Sequence, residues 1–312
     1  MTNAPIRIGT RGSQLALYQA ERVKTEILAR YPEKQVDIEI IKTKGDKILD
    51  VALSKIGDKG LFTKELEIAL LENRVDICVH SLKDLATDVP KGLKLGAVLK
   101  RGEYRDALVH KDGKKLRELT KDDVIATSSL RRIAGLKKLN PDIQVVDIRG
   151  NVNTRLQKME NGHCDGMIMA AAGLQRLGFD AYISEIIAPT DIIPAVAQGA
   201  IAIESRMGDQ RTDSILEKLN DSNTLNAVIA ERKFLNTLQG GCQVPVGCYS
   251  EVENGQFKLT GFVASLDASE YLKESIEGDI ANGTELAHTL AEKLINRGGD
   301  RILQEIRSQN NN

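Results

Sequence analysis

Three stretches in the first half of the chain run an apolar, strand-like segment into arginine at a predicted helix start. Ile6-Arg7-Ile8-Gly9-Thr10 leads to Arg11-Gly12-Ser13. Val124-Ile125-Ala126 leads to Thr127-Ser128-Ser129-Leu130-Arg131-Arg132, and Val145-Val146-Asp147-Ile148 leads to Arg149-Gly150-Asn151-Val152-Asn153-Thr154-Arg155. A helix N-terminus already presents about half a positive charge and several unpaired N–H groups, so cations in its first turn are unfavourable without an anion nearby. In open α/β sheets, ligands bind at these strand ends. One such arginine is as readily a solvated surface group. Three in the same setting predict a ligand bearing several carboxylates or phosphates.

Two further groups could do chemistry. Asp84 follows Lys83 at the end of the strand Val75–His80, on the sheet edge that should also present Arg11. A carboxylate among cations stays ionised, and it can stabilise a cation or hand on a proton; loop capping is an equally good reading of it. Cys242 lies in Gly240-Gly241-Cys242-Gln243-Val244-Pro245-Val246-Gly247, a glycine-rich turn between a helix end and a strand. It reads either as a ligand-bearing thiol or, on spacing alone the better reading, as a small residue in a tight turn. Lys55 and Lys59 fall in a Gly-, Lys- and Asp-rich loop, Thr43 to Gly60, either as solvated charges or as cations closing over an anionic ligand.

The elements that must position these residues alternate between strand and helix. Ser13 can cap a helix to about Arg30 with Ala16, Ala20, Val23, Ile27 and Tyr31 on one face, and Val36, Ile38 and Ile40 alternate as a strand. Leu61 to Asn73 reads as a helix. A charged crossover, Lys100 to Asp106, leads to a second alternating unit ending near Ile193, and Ala200 to Ile203 is another strand. From about Asp221 the pattern changes: a helix stops at Gly240-Gly241, Asn254-Gly255 joins two β runs, and two amphipathic helices close the chain.

Composition narrows the function. With 312 residues the chain holds two or three domains, and 43 Lys+Arg against 44 Asp+Glu leave a net charge of −1. No global basic field exists, and with no Trp and 4% aromatics, nucleic-acid binding is disfavoured. No apolar signal region or membrane-length run is visible, so the expectation is a soluble cytoplasmic protein. The four cysteines and four histidines show neither disulfide-scaffold nor zinc-ligand spacing, and Cys242 and Cys248 have five residues between them, so no metal is expected. Walker A and G-x-G-x-x-G strings are missing.

Taken together, His80-Ser81-Leu82-Lys83-Asp84, Thr127 to Arg132, Arg149 to Arg155 and Gly240 to Pro245 resemble the motifs of the porphobilinogen deaminase (hydroxymethylbilane synthase) family, in order and over nearly the whole chain. The resemblance implies head-to-tail condensation of porphobilinogen with loss of ammonia, on a dipyrromethane primer that the protein builds and holds, and hydrolytic release of the linear tetrapyrrole. Each pyrrole carries an acetate and a propionate, which is the polycarboxylate the arginines call for, since guanidinium pairs bidentately with carboxylate.

By the same resemblance Cys242 carries the dipyrromethane through a thioether. Asp84 is the catalytic carboxylate, assisting loss of the amino group and stabilising positive azafulvene and pyrrole intermediates. Lys83, Asp84, Thr127, Ser129, Arg131, Arg132 and Arg155 are expected on the cofactor. Arg11, Ser13, Arg149, Arg155, Arg176 and Gln198, with Lys55 and Lys59, are expected on substrate.

The implied fold is α/β: two periplasmic-binding-protein-like (type II) lobes with mixed, mostly parallel sheets, plus a smaller C-terminal α+β domain. The first lobe would take residues 1–99 and 200–219, the second 105–193, and the third domain 221–312. The family also implies a monomer. One departure is Ala86, where the family commonly has proline; Cys248 is an extra thiol without a functional account. A two-lobed solute-binding or effector-sensing protein is the competing reading, and it would need neither Cys242 nor Asp84.

Overall fold

The computed structural model describes residues 4–47, 60–241, 243–253 and 256–310. Along the chain come strands β1 (Ile6–Thr10), β2 (Val36–Ile40), β3 (Ile77–Ser81) and β4 (Leu93–Val98), then β5 (Asp106–His110), β6 (Val124–Ala126), β7 (Gln144–Val146), β8 (Gly166–Ala170) and β9 (Ile183–Ile186). They are followed by β10 (Ile201–Arg206), β11 (Val246–Glu253), β12 (Gln256–Ala264) and β13 (Tyr271–Gly278). The described residues fall into two compact units, 4–47, 60–102 and 199–225 in one, 103–198 and 226–310 in the other.

The first unit is built on a five-stranded sheet ordered β2-β1-β3-β10-β4. β1 runs parallel to β2 and β3, whereas β10 is antiparallel to both β3 and β4. Four strands therefore share a direction and one, arriving late in the chain, opposes them. Both faces of this sheet are covered, as expected of parallel architecture. On one face Ile6, Ile8, Val79 and Ile203 pack with Val23 and Ile27 of the helix Gln14–Arg30 and with Ile215, Leu216 and Leu219 of the helix Gln210–Leu219. On the other, Val75 and Cys78 pack with Leu66, Ala69 and Leu70 of the helix Lys64–Leu71. That helix is shorter than the Leu61–Asn73 expectation and ends just before Asn73, whose φ of 58° takes the chain out of helical geometry. Where an irregular Thr43–Gly60 loop was expected, Lys44–Lys47 forms a helical turn; residues 48–59, with Lys55 and Lys59, lie outside the described residues.

The second unit contains a sheet of the same design, β7-β6-β8-β5-β9, with β6 parallel to β7 and β8 and the single opposing strand now β5. Each unit thus repeats one plan. The same unit includes an antiparallel sheet β11-β12-β13. Gly261 on β12 makes room for Phe234 of the helix Ser222–Thr237: a Cβ there would stand 2.4 Å from the ring. Cys248 is fully buried on β11 and its backbone N–H donates to the Pro194 carbonyl at 3.1 Å, so its setting is that of a small core residue.

Candidate functional site

Because β1 and β3 are hydrogen-bonded parallel neighbours, the residues after their C-terminal ends emerge on one edge of the first unit. Arg11 and Ser13 follow β1, and a 3-10 turn, Leu82–Asp84, follows β3. Arg11, Ser13, Gln19, Phe62, His80 and Asp84 line one small pocket of about 70 Å³ there. Ser13 caps its helix by accepting the Ala16 N–H at 3.3 Å. The Arg11 guanidinium lies 4.1 Å over the Phe62 ring and donates from Nε to Asp46 at 3.1 Å. Burial works against an ionised Asp46, but Arg11 and Thr43 outweigh it and hold its pKa below the usual carboxylate value. Ring and carboxylate together fix the orientation of a cation at the pocket wall. Gln19, buried on the helix, donates to Ser81 at 2.8 Å. Asp84 and Lys83 are exposed on the turn, and Lys83 is not among the pocket-lining residues. With Ala86 in place of proline, Leu85 still adopts φ −83°, ψ 127°, the extended region that a following proline would impose.

In the second unit β6, β7 and β8 run parallel, so Thr127–Arg132 and Arg149–Arg155 leave the same sheet edge. Ser129 stands at the N-cap of the helix Leu130–Leu139 without a side-chain capping bond, while Asn151 caps the helix Val152–Glu160 by accepting from Thr154. Arg155 donates from Nε to the Gly150 carbonyl at 2.8 Å. Arg149 is half-buried, and its Nη1 is a buried donor with no hydrogen-bond partner among the described residues. An unsatisfied buried guanidinium nitrogen is costly unless an acceptor arrives. Arg176 instead closes the short helix Ala171–Arg176, six residues beyond the end of β8.

Arg131, Arg132 and Gln198, expected to face a ligand, are buried around Asp106 at the start of β5. Arg131 Nη1 donates to Asp106 Oδ2 at 2.7 Å and to the Ile193 carbonyl. Arg132 donates from Nε and Nη2 to Asp106 Oδ1, and Gln198 Nε2 reaches the same oxygen at 3.0 Å. Two guanidinium groups this deep need a counter-charge, and Asp106 supplies it. Burial opposes its ionisation, yet Arg131 and Arg132 hold its pKa far below the usual value. Within this cluster two guanidinium groups share the one Asp106 carboxylate. Asp106 was legible only as part of a charged crossover, and Gln19, Asp46 and Phe62 carried no motif signal; only contacts across the fold reveal them. Cys242 lies outside the described residues.

The arrangement offers guanidinium groups at the strand ends of both sheets, which suit carboxylates, and one exposed acid, Asp84, lining the first unit's pocket with Arg11 and Ser13. Comparison with known proteins identifies the family. A family model described as "Porphobilinogen deaminase, dipyromethane cofactor binding domain" matches residues 6–214, and one described as "Porphobilinogen deaminase, C-terminal domain" matches residues 225–296. The chain is 48% identical over 303 residues to a porphobilinogen deaminase of Desulforamulus reducens, covering 97% of this chain and 98% of that one. It is 45% identical over 306 residues to the porphobilinogen deaminase of Syntrophobacter fumaroxidans, covering 98% and 99% of the two chains. Among solved structures it is similar to a TRAP periplasmic solute binding protein from Desulfovibrio salexigens, 14% identical, covering 75% of this chain and 76% of the other at a TM-score of 0.43.

Proposed function

The chain belongs to the porphobilinogen deaminase family, and from that premise we propose how its own residues share the work. The enzyme condenses porphobilinogen units head to tail with release of ammonia and then frees the linear tetrapyrrole by hydrolysis. Its cofactor is dipyrromethane, which supplies, when bound, the primer end to which new pyrrole units are joined.

Cys242 is the attachment point in this reading. In the second unit Arg131, Arg132 and Arg155, with Thr127 and Ser129, hold acetate and propionate groups of the primer. Arg149 and, from further along the chain, Arg176 serve incoming substrate. The residues suit such a group: the buried Arg149 Nη1 has no acceptor among the described residues, and Arg131 with Arg132 exceed Asp106 by one positive charge. Gln198 acts here by holding Asp106 in place.

In the first unit Arg11 binds a substrate carboxylate and Ser13 orients it. Asp84, exposed and beside Lys83, accepts the substrate's pyrrole N–H and opposes the positive charge that grows on the ring as ammonia departs. The observation that carries this assignment is that Asp84, Arg11 and Ser13 line one pocket. Lys55 and Lys59, outside the described residues, are assigned to substrate by the resemblance alone. The same reading takes the enzyme as a cytoplasmic monomer with no nucleic-acid or membrane partner, which light scattering of the purified protein checks for oligomeric state. Asp84→Asn should lower turnover by about two to four orders of magnitude, measured as tetrapyrrole formation by the holoenzyme. Near-parental turnover removes Asp84 from the mechanism.

A further inference from the structure

Behind the wall of the Asp84 pocket sits a buried acid–imidazole pair that the reaction described so far does not use. β10 lies antiparallel to β3 with Glu204 opposite Cys78 and Ala202 opposite His80, which puts Glu204 and His80 on one face of the sheet. His80 Nε2 is 3.1 Å from Glu204 Oε2. His80 is 6% exposed and lines the pocket with Asp84; Glu204 is wholly buried. The other Glu204 oxygen, Oε1, has no hydrogen-bond partner among the described residues.

A buried carboxylate with an idle oxygen is an expensive way to anchor a histidine, since a serine, a glutamine or a backbone carbonyl would do so without burying charge. What the carboxylate adds is control of the proton. Acting as acceptor it draws the Nε2–H toward itself and fixes the orientation of the ring at the pocket wall. The other charged groups around the pair bear on the same balance. Glu67, from the helix Lys64–Leu71, has its pKa raised by burial and further by Glu204, with Thr63 and His80 opposing. On β3 the Cys78 thiol is pushed well above its ordinary value by burial and by Glu204, so it stays a thiol. From the pocket side come Arg11 and Asp84.

We propose that His80, held by Glu204, is a positioning residue that sets the proton balance of the pocket in which Asp84 works, without itself touching substrate. The proposal deepens the assignment of Asp84 made above and rests on it. Any interaction between the His80 ring and Asp84 across the pocket is reciprocal, so a change at one is readable at the other.

The test uses holoenzyme labelled with ¹⁵N-histidine, whose four histidines allow the His80 ring to be assigned through bonds. In Asp84→Asn, an exposed and conservative change, the His80 ring signals should move and their titration midpoint should shift by roughly half a pH unit or more. In parallel, Glu204→Gln should displace the pH profile of kcat by about half to one unit while KM for porphobilinogen stays within about twofold, and Glu204→Asp should bring the profile back toward the parent. His80 signals indifferent to Asp84→Asn overturn the proposal, and so does a Glu204→Gln profile that superimposes on the parent after scaling for a lower kcat. If Glu204→Gln does not fold, the Asp84→Asn titration decides alone. Parental turnover in Asp84→Asn would instead count against the Asp84 assignment, because the His80 signals are read independently of activity.

Discussion

The arginines of the second unit divide by what already holds them. Arg131 and Arg132 are tied to Asp106 and to the Ile193 and Ile168 carbonyls, so their guanidinium forks do structural duty before any ligand arrives. Arg149 keeps a buried Nη1 without an acceptor among the described residues. Lysine replaces a planar fork by a point charge and cannot serve two acceptors in the same geometry. Arg149→Lys is therefore expected to raise KM for porphobilinogen by roughly tenfold or more with little change in melting temperature, since the loss falls on a charge-assisted hydrogen bond to the ligand. Arg131→Lys should lower the melting temperature as well, because Asp106 loses a buried partner. Steady-state kinetics and thermal melts separate the two, and unchanged KM in Arg149→Lys ends its carboxylate role. The types of these residues were legible in the sequence as strand-to-helix arginines. Their partner Asp106 was not, because a counter-charge twenty-five residues away is a fact of folding rather than of spacing.

Alternating strand and helix patterns were enough to place most elements near Arg11, Asp84 and Arg149. The linear pattern did not reveal that β10 inserts between β3 and β4, since strand pairing across so long a separation leaves no local signature. Gly247 shows the same limit at a single position on β11. Its sequence setting suggests a turn glycine, whereas the structure shows a contact: a Cβ there would stand 2.7 Å from the Pro194 carbonyl oxygen, 2.7 Å from the Phe262 ring and 2.8 Å from Arg131 Cδ. The carbonyl is backbone, so the strand or Arg131 must give way. Gly247→Ala is expected to cost about 1–3 kcal/mol by overpacking, read by urea denaturation. Since the added methyl presses on the Arg131 stem, it should also impair loading of the primer before the thioether forms, read as the fraction of purified protein carrying it. Parental stability and full primer occupancy together would show that β11 has slack at this contact.

At the scale of the molecule, the enzyme as purified should be heavier than its sequence by two linked pyrrole units under denaturing mass spectrometry, and Cys242→Ser should remove the increment; an increment surviving in the variant places the attachment elsewhere. The acid stability of the second unit is a more physical question, because one carboxylate, Asp106, balances two buried guanidinium groups. Its pKa is depressed on folding despite burial, through Arg131 and Arg132. A depressed carboxylate contributes stability that is fully present above its unfolded value of about 4 and lost as pH falls below that toward the folded value. The parent should therefore lose this contribution only below about pH 4. Asp106→Asn removes the anion at every pH and leaves two unbalanced cations, a change expected to cost about 3–5 kcal/mol at pH 7. The gap between parent and variant should then narrow between about pH 4 and pH 2, because acid gradually does to the parent what the substitution has already done. Urea titrations at several pH values read that gap directly. A gap independent of pH would mean that the Asp106 side chain acts through shape and hydrogen bonding rather than through its charge.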